Sequence, residues 1–309
     1  MKTTFRSRPY TGLNDFIIMT SILMVGRKTS KRPYYIHTGD LSWWMFHDDH
    51  EESHWRESVR IWESNRNPIG WSMVDPEWYS FDVNLLPDFR STKEETYILD
   101  WTIKKIEEGV RKNGGSKIRT VWISEFDDDR INQLEKRGFK QDDDFMWYLE
   151  YPLGAQIPEM RLPKDFIVRP IRGESEIQLR ATASYDIVKS GCRYDEFWPR
   201  YQRFMRSPVY NPQFDIVTEA PDGQLASFCV VWPDPVNHIG LFEPVGANSN
   251  YMHMGLRKVV VTAGLKRLKA CGMDQAMTCV KDNDSSAINF FEGVGFIKIH
   301  KLYSFVKNV

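Results

Sequence analysis

The fold is decided by one stretch of the chain, which reads Glu243-Pro244-Val245-Gly246-Ala247-Asn248-Ser249-Asn250-Tyr251-Met252-His253-Met254-Gly255-Leu256-Arg257-Lys258. A short apolar run leads into a turn-rich loop, and a glycine then opens a helix. This order brings unpaired backbone N–H groups and the positive end of a helix dipole to one point. The stretch therefore predicts a site that suits a phosphate group.

The segments after this stretch predict helix, strand, helix and strand. Apolar residues recur on one face of the first helix, namely Leu256, Val259, Val260, Ala263 and Leu268. Gly272 ends that helix. We expect a strand from Gln275 to Val280, a short helix from Ala287 to Val294 with Asp284 as a possible cap, and a last strand from Phe296 to Val306.

This order of elements carries a resemblance to a known family. Strand, glycine loop, helix and strand are followed by Asn283, Ala287, Phe290-Phe291 and Gly295-Phe296. The pattern resembles the acetyl-CoA-binding half of the GNAT N-acetyltransferases, and the chain from Ala220 to Trp232 resembles the C-terminal unit of bacterial tandem-GNAT proteins. The resemblance implies an α/β (α+β) protein of two tandem GNAT-like domains, each a mixed, mostly antiparallel sheet flanked by helices.

Two short motifs repeat along the chain and indicate two similar halves. Gly138-Phe139 recurs as Gly295-Phe296, and Ile69-Gly70-Trp71 is matched at the same spacing by Ala226-Ser227-Phe228. We therefore predict a first domain at 1–150, a proline-containing linker at 151–164 and a second domain at 165–309. In the first half, Lys93 stands where the resemblance places the phosphate-loop glycine and Leu134 where it places a tyrosine. The first domain is thus predicted not to bind CoA productively.

The composition sets limits on partners and on the compartment. The 309 residues are 41% hydrophobic with a net charge of −1, which favours two domains and does not indicate a nucleic-acid or membrane partner. The four cysteines have no CxxC spacing, which favours reduced thiols in a cytoplasmic protein. The apolar run from Phe16 to Val25 is too short for a membrane span and predicts a core helix. The sequence leaves open a monomer or a homodimer.

Three histidines raise the possibility of a metal site. His47, His50 and His54 are spaced to share one face of a helix, among acidic residues that are also possible ligands. The scattered carboxylates and the lack of a completing cluster favour a solvated acidic surface helix instead. We therefore predict no metal.

The resemblance implies acetyl-CoA as cosubstrate and assigns residues to it. The strand at Val245, Gly246 and Ala247 is expected to pair with the pantetheine arm. The loop and helix start are expected to bind the pyrophosphate, namely Met252, His253, Met254, Gly255, Leu256, Arg257 and Lys258. Further contacts with the cofactor are expected from Asn283, Ser286, Phe290 and Phe291. The implied reaction is transfer of the acetyl group to a primary amine of a small molecule.

The sequence departs from the family pattern at several of these positions. Arg257 stands where a small residue is usual, and it either clashes with the phosphates or binds them. Phe291 replaces the tyrosine that usually protonates the thiolate. Tyr251, Tyr303 or water remain possible proton donors. Asn283 lies one residue further from this position than usual, so either it or the adjacent Asp284 fills that slot.

Glu243 is the candidate general base, because its strand flanks the expected thioester and partial burial raises the pKa of a carboxyl group. The alternative is that it only binds backbone N–H groups or a basic partner. Two other functions stay open: a degenerate GNAT-like protein that binds CoA, another ligand or a protein without acetyl transfer, and a generic α/β binding module.

Overall fold

The structure is a computed structural model that describes residues 5–30, 32–47, 52–188 and 193–309. In the first half the elements follow in the order β1 (Phe5–Pro9), α1 (Leu13–Ser30), α2 (Thr38–His47), α3 (Glu52–Ser58), β2 (Val59–Ser64), β3 (Asn67–Asp75), β4 (Ser80–Leu85), α4 (Lys93–Lys112), β5 (Lys117–Ser124), α5 (Asp128–Glu135) and β6 (Lys140–Pro152).

The second half repeats this order except for α3. Its elements are β7 (Ile167–Pro170), α6 (Ile177–Val188), α7 (Tyr194–Met205), β8 (Asp215–Glu219), β9 (Leu225–Asp234), β10 (Ile239–Ala247), α8 (Leu256–Ala270), β11 (Gln275–Lys281), α9 (Ser285–Glu292) and β12 (Ile297–Asn308). The predicted elements after Gly255 are confirmed to within a few residues, and the predicted helix at Phe16 lies inside α1. The two repeated motifs fall on equivalent elements, so the halves share one architecture.

The described strands form one continuous sheet in the order β1-β2-β3-β4-β5-β12-β6-β11-β10-β9-β8-β7. The last strand of each half has exchanged places: β12 pairs with β5 of the first half, and β6 pairs with β11 of the second. At the centre β6 and β12 run antiparallel, with Met146 opposite Leu302. The predicted boundary at residue 150 stays a prediction. In the sheet, β6 comes from the first half of the chain but completes the strands of the second half by pairing with β11.

A buried ion-pair cluster repeats in both halves and fixes each first strand to its neighbours. In the first half Arg8 donates to Asp15 at 2.6 Å and to Glu63 at 2.9 Å. In the second half Arg169 donates to Glu176 and Glu219 at 2.6 Å. The carboxylates of Asp15 and Glu176 are almost completely buried, so each cluster depends on its arginine for charge compensation.

These clusters predict a loss of stability in acid. Burial raises the pKa of Asp15 and of Glu176, but hydrogen bonds from Arg8 and Arg169 outweigh it, and both pKa values lie below the usual range. A depressed carboxyl pKa stabilises the fold above the unfolded-state pKa, which is about 4, and this stability is lost as the pH falls through the folded-state pKa. We expect the free energy of unfolding, measured with urea across this window, to fall with pH.

Matched variants separate the buried clusters from surface ion pairs. Asp15→Asn and Glu176→Gln are expected to lower stability near neutral pH and to flatten its decline in acid. Glu174→Gln removes an exposed carboxylate that pairs with Arg206, and it is expected to change the acid slope little. An equal effect of all three variants would show that burial does not govern the pH dependence.

The predicted helix bearing the three histidines runs through residues that the structure does not describe. His47 is the last residue of α2, and His54 lies in α3. His47 is buried and stacks on Trp43 with ring centroids 3.7 Å apart, while His54 contacts the Ser58 hydroxyl. His50 and the neighbouring Asp48, Asp49 and Glu51 lie outside the described residues, as does Cys192. Within the described ranges no group of three His, Cys, Asp or Glu side chains is placed to hold a metal ion.

Among the helices of the described residues, none combines the length and the apolar character needed to cross a bilayer.

Candidate active site

The candidate site begins where β10 separates from β11. The two strands pair only over Ile239–Leu241, and the pairing of β10 with β9 shifts between Phe242 and Val245. The peptide bond from Glu243 to Pro244 is cis at this shift. Beyond it, Val245–Ala247 pair with β9 again. In the described sheet, the edge of Val245–Ala247 away from β9 has no ladder partner, so it suits the amides of an extended ligand.

The loop after β10 ends in an uncapped helix start. Asn248 caps a short 3₁₀ helix, Ser249–Met254, in which Met252 and Met254 are exposed. Gly255 follows with φ of 71°, and a Cβ atom there would meet nothing within 4 Å. This left-handed conformation favours glycine. Among the described residues no side chain caps the start of α8. In its first turn Lys258 N donates to the Gly255 carbonyl at 3.0 Å, and the N–H groups before it have no side-chain acceptor.

The two cationic side chains beside this helix start contact α9 and the residue that follows it. The guanidinium of Arg257 lies 4.5 Å from the ring centre of Phe290, and Lys258 Nζ donates to the Gly293 carbonyl at 3.2 Å. Both positive groups therefore stand beside the open helix start. Leu256 is among the residues predicted to bind the pyrophosphate, but its side chain is buried in the core under α8. Its backbone still belongs to the first helical turn.

The start of α9 presents a polar rim without the usual tyrosine. Asp284 caps this helix by accepting from Ala287 N at 2.9 Å, while Asn283 and Ser286 are exposed. Phe291 is buried and packs against Phe290 and Phe296. The position that the resemblance gives to a tyrosine therefore holds a phenyl ring in the core.

The equivalent helix start in the first half is filled by its own side chains. The buried Glu95 carboxylate accepts from Ser91 N at 2.5 Å and from Arg130 at 2.7 Å. Thr92 caps the same turn of α4, and Arg90 pairs with Asp127 at 2.6 Å close by. A carboxylate of the chain thus occupies the place of an incoming anion. This is a physical reason, besides Lys93 and Leu134, for the prediction that this half does not bind CoA.

Glu243 lies in β10 where this strand has separated from β11, and it is covered by α2 of the first half. Trp232 Nε1 donates to the Glu243 carbonyl at 2.7 Å. Gly39, in the first turn of α2, packs on that indole so closely that a Cβ atom would lie 2.5 Å from Cγ of Trp232. This packing brings the carboxyl groups of Asp40 and Glu243 into hydrogen-bonding contact. We refer to these two groups as the Asp40–Glu243 pair.

The electrostatics of the Asp40–Glu243 pair differ for its two members. Burial raises the pKa of Glu243 well above its ordinary value, and the charge of Asp40 raises it further. Burial also raises the pKa of Asp40, but Glu243, the His37 N–H group and Arg27 oppose that rise. Two contacting carboxyls in a low dielectric do not both ionise. One proton therefore stays on the pair near neutral pH, and Glu243 is the member that favours it.

A narrow pocket adjoins this pair at the junction of the halves. It is lined by residues from both halves, namely Arg27, Pro33, Tyr35, Ile36, His37, Asp40, Trp122, Tyr148, Met277, Cys279 and Leu302. Its free volume is about 10 Å³, close to the least that a water molecule needs. Burial raises the pKa of Tyr148 and of Cys279 and lowers that of His37, so these groups are neutral near neutral pH.

The tyrosines predicted as alternative proton donors have other partners. Tyr251 donates its hydroxyl to Asp222 at 2.9 Å. The Tyr303 ring packs edge-on against Phe145, in the central strands. Sequence reasoning missed Asp40, Arg27 and Tyr148. No local motif marks them, since they come together in this pocket only because the halves share one sheet.

Comparison with known proteins identifies the fold. No protein-family model matches this sequence, and no curated protein matches it. A solved tandem GNAT protein from the clavulanic acid biosynthesis pathway matches with a TM-score of 0.69 at 10% identity, over 99% of this chain and 98% of that one. A GCN5-related N-acetyltransferase from Sphaerobacter thermophilus matches with a TM-score of 0.63 at 13% identity, over 98% and 95%.

A third solved structure gives the same result. An acetyltransferase of the GNAT family from Colwellia psychrerythraea matches with a TM-score of 0.58 at 12% identity, over 97% of this chain and 99% of that one. The chain therefore has the tandem GNAT fold, and the predicted fold class is confirmed. At these identities the likeness concerns the fold alone.

Proposed function

We propose that this protein is a cytoplasmic N-acetyltransferase whose second half binds acetyl-CoA and transfers its acetyl group to a primary amine of a small molecule. One observation carries the proposal. The second half combines a free strand edge at Val245–Ala247 with an uncapped helix start at Gly255. The equivalent helix start of the first half is filled by Glu95.

The residues of the second half fit the chemical parts of acetyl-CoA, which supplies the acetyl thioester. The free edge of Val245–Ala247 offers N–H and C=O groups to the pantetheine amides. The N–H groups of the first turn of α8 favour the pyrophosphate, and Arg257 and Lys258 add positive charge beside it. Gly255 keeps the approach clear because it has no side chain. Asn283 and Ser286 line the exposed rim.

The acceptor amine is assigned to the junction of the halves, next to the Asp40–Glu243 pair. While it holds one proton, the pair has one ionised carboxylate, which can accept a hydrogen bond from the N–H group of an amine. Glu243 lies in the strand that continues into Val245–Ala247. It remains the candidate proton acceptor, once it has passed its own proton to Asp40. The narrow pocket must widen when a substrate enters, which favours a small and slender amine.

The test of cofactor binding is a calorimetric titration of the CoA-free protein with acetyl-CoA. Gly255→Glu is expected to abolish binding, because its carboxylate would stand where the pyrophosphate is expected. Gly255→Ala separates backbone strain from charge and is expected to weaken binding only partly. Gly114→Glu is the matched control, since Gly114 also has a positive φ of 74° and open space around it, but lies in the first half.

A screen of primary amines for thiol release then tests the reaction. Binding that survives in Gly255→Glu would move the cofactor away from this loop. Binding without thiol release from any amine would favour the alternative function, a degenerate GNAT-like protein that holds CoA without transfer. Phe291 is the observation behind that alternative, because its buried ring carries no proton to donate.

A further inference from the structure

Asp40 is a buried carboxylate with one free acceptor site. Its side chain is 2% exposed, and Oδ2 accepts from the His37 N–H group at 2.8 Å. Oδ1 has no donor among the described protein groups. The contact of Gly39 with Trp232 holds the first turn of α2 against β9, and Trp232 in turn donates to the Glu243 carbonyl in β10. An oxygen in this position requires a proton from its neighbour.

Among the described residues, the Glu243 carboxyl is the side-chain group that contacts Asp40 and can supply that proton. Several titratable or charged groups face the pair or its immediate neighbours, from every element packed there: Arg27 from α1, His37 before α2, Asp82 from β4, Tyr148 and Glu150 from β6, Asp234 from β9 and Cys279 from β11. Arg27 is the cation among them, and it compensates one negative charge. The surroundings therefore suit a pair with one charge and one proton.

We propose that Asp40, contributed by the first half, is a positioning residue for the second half's active site, where it keeps one proton shared with Glu243 so that the pair both accepts and donates a proton during acetyl transfer. This inference rests on the proposed function. It gives the first half a role in the reaction although its own helix start is filled.

The protons balance over one turnover. The amine reacts in its neutral form, after its ammonium form has released one proton to solvent. Its nitrogen forms a bond to the acyl carbon with its lone pair, and the bond from that carbon to sulfur breaks with its electron pair on sulfur. The nitrogen loses one proton to the ionised carboxylate of the pair. The carboxylic acid of the pair gives its proton to the thiolate. The pair ends with one proton and one charge, as it began.

This arrangement accounts for a reaction without a tyrosine at position 291. A lone carboxylate accepts a proton but has none to give to the leaving thiolate. A pair that keeps one proton serves both steps, because the two carboxyl groups exchange the proton directly. The pair therefore takes over the part that the phenyl ring of Phe291 cannot perform.

The direct test is infrared spectroscopy of the full chain, which detects the carbonyl stretch of a protonated carboxyl without any cofactor or turnover. Near neutral pH the signal is expected in the parent protein. It is expected to disappear in both Asp40→Asn and Glu243→Gln, because either change leaves one carboxylate beside Arg27. Asp82→Asn removes another carboxyl that faces the pair, and it is the control that should keep the signal. Asp40→Asn retains the oxygen that accepts from His37, so the fold is preserved.

The pH profile of kcat/KM is the second readout. Asp40→Asn is expected to lower kcat by roughly 10²-fold, with unchanged acetyl-CoA affinity, and to remove the alkaline limb that reports loss of the shared proton. A signal that persists in Asp40→Asn, with an unaltered pH profile, would overturn the inference. If the parent shows the signal but acetylates no amine, the proposed function fails and the pair has no catalytic use.

Discussion

Glu243→Gln is expected to reduce kcat for acetyl transfer by about 10²- to 10⁴-fold, the usual contribution of a positioned acid or base. The amide can neither accept the proton of the amine nor share a proton with Asp40. Acetyl-CoA affinity is expected to stay nearly unchanged, because the proposed contacts come from the backbone of Val245–Ala247 and the start of α8. Steady-state thiol release and calorimetric titration measure the two quantities separately.

A neighbouring carboxyl provides the matched control for this variant. Glu150 lies close to Arg27 and Tyr148 and has a pKa raised mainly by burial, but it does not contact Glu243. Glu150→Gln is expected to leave most of the turnover intact. Unchanged turnover in Glu243→Gln would remove Glu243 from the mechanism, and a similar loss in both variants would indicate that the charge of the whole junction matters.

Arg180→Met is expected to lower the free energy of unfolding by roughly 3–5 kcal/mol, the usual cost of breaking a buried ion pair. Arg180 and Asp215 are both fully buried, and Nε of Arg180 lies 2.9 Å from each carboxylate oxygen. The guanidinium also packs 3.8 Å from the ring centre of Phe228. The methionine fills much of the space but leaves the Asp215 charge without its partner. Urea denaturation monitored by circular dichroism measures the loss.

Two further variants show whether the unpaired charge causes this effect. The double variant Arg180→Met, Asp215→Leu is expected to recover most of the stability, because both buried charges are then replaced by apolar groups. Arg206→Met breaks the exposed pair with Glu174 and is expected to change the free energy of unfolding little. A double variant no more stable than Arg180→Met would attribute the loss to packing.

The parts of the fold that sequence could predict depend on neighbours in the chain. The apolar face of α8 recurs with the helical period, Gly255 and Gly272 both adopt positive φ at its ends, and Asp284 caps α9. Each of these features is decided by a few consecutive residues. The resemblance could likewise predict that the second half, rather than the first, binds CoA, since Lys93 stands where the phosphate-loop glycine is expected.

The exchanged strands and the Asp40–Glu243 pair could not be predicted, because they depend on contacts between distant parts of the chain. The apolar pattern of β6 suits a place beside β5 or beside β11 equally well. Asp40 is an ordinary residue of the first turn of α2 until the sheet places that turn over Trp232.

The exchange of β6 and β12 ties the synthesis of the protein to its folding order. When the first half leaves the ribosome, its sheet ends at β5 with an open edge, and β6 has no strand beside it. That edge stays available to other chains until β12 has been made. The sheet of each half is therefore complete only when a strand of the other half is in place. The two halves can differ in their chemistry, although each still depends on a strand of the other.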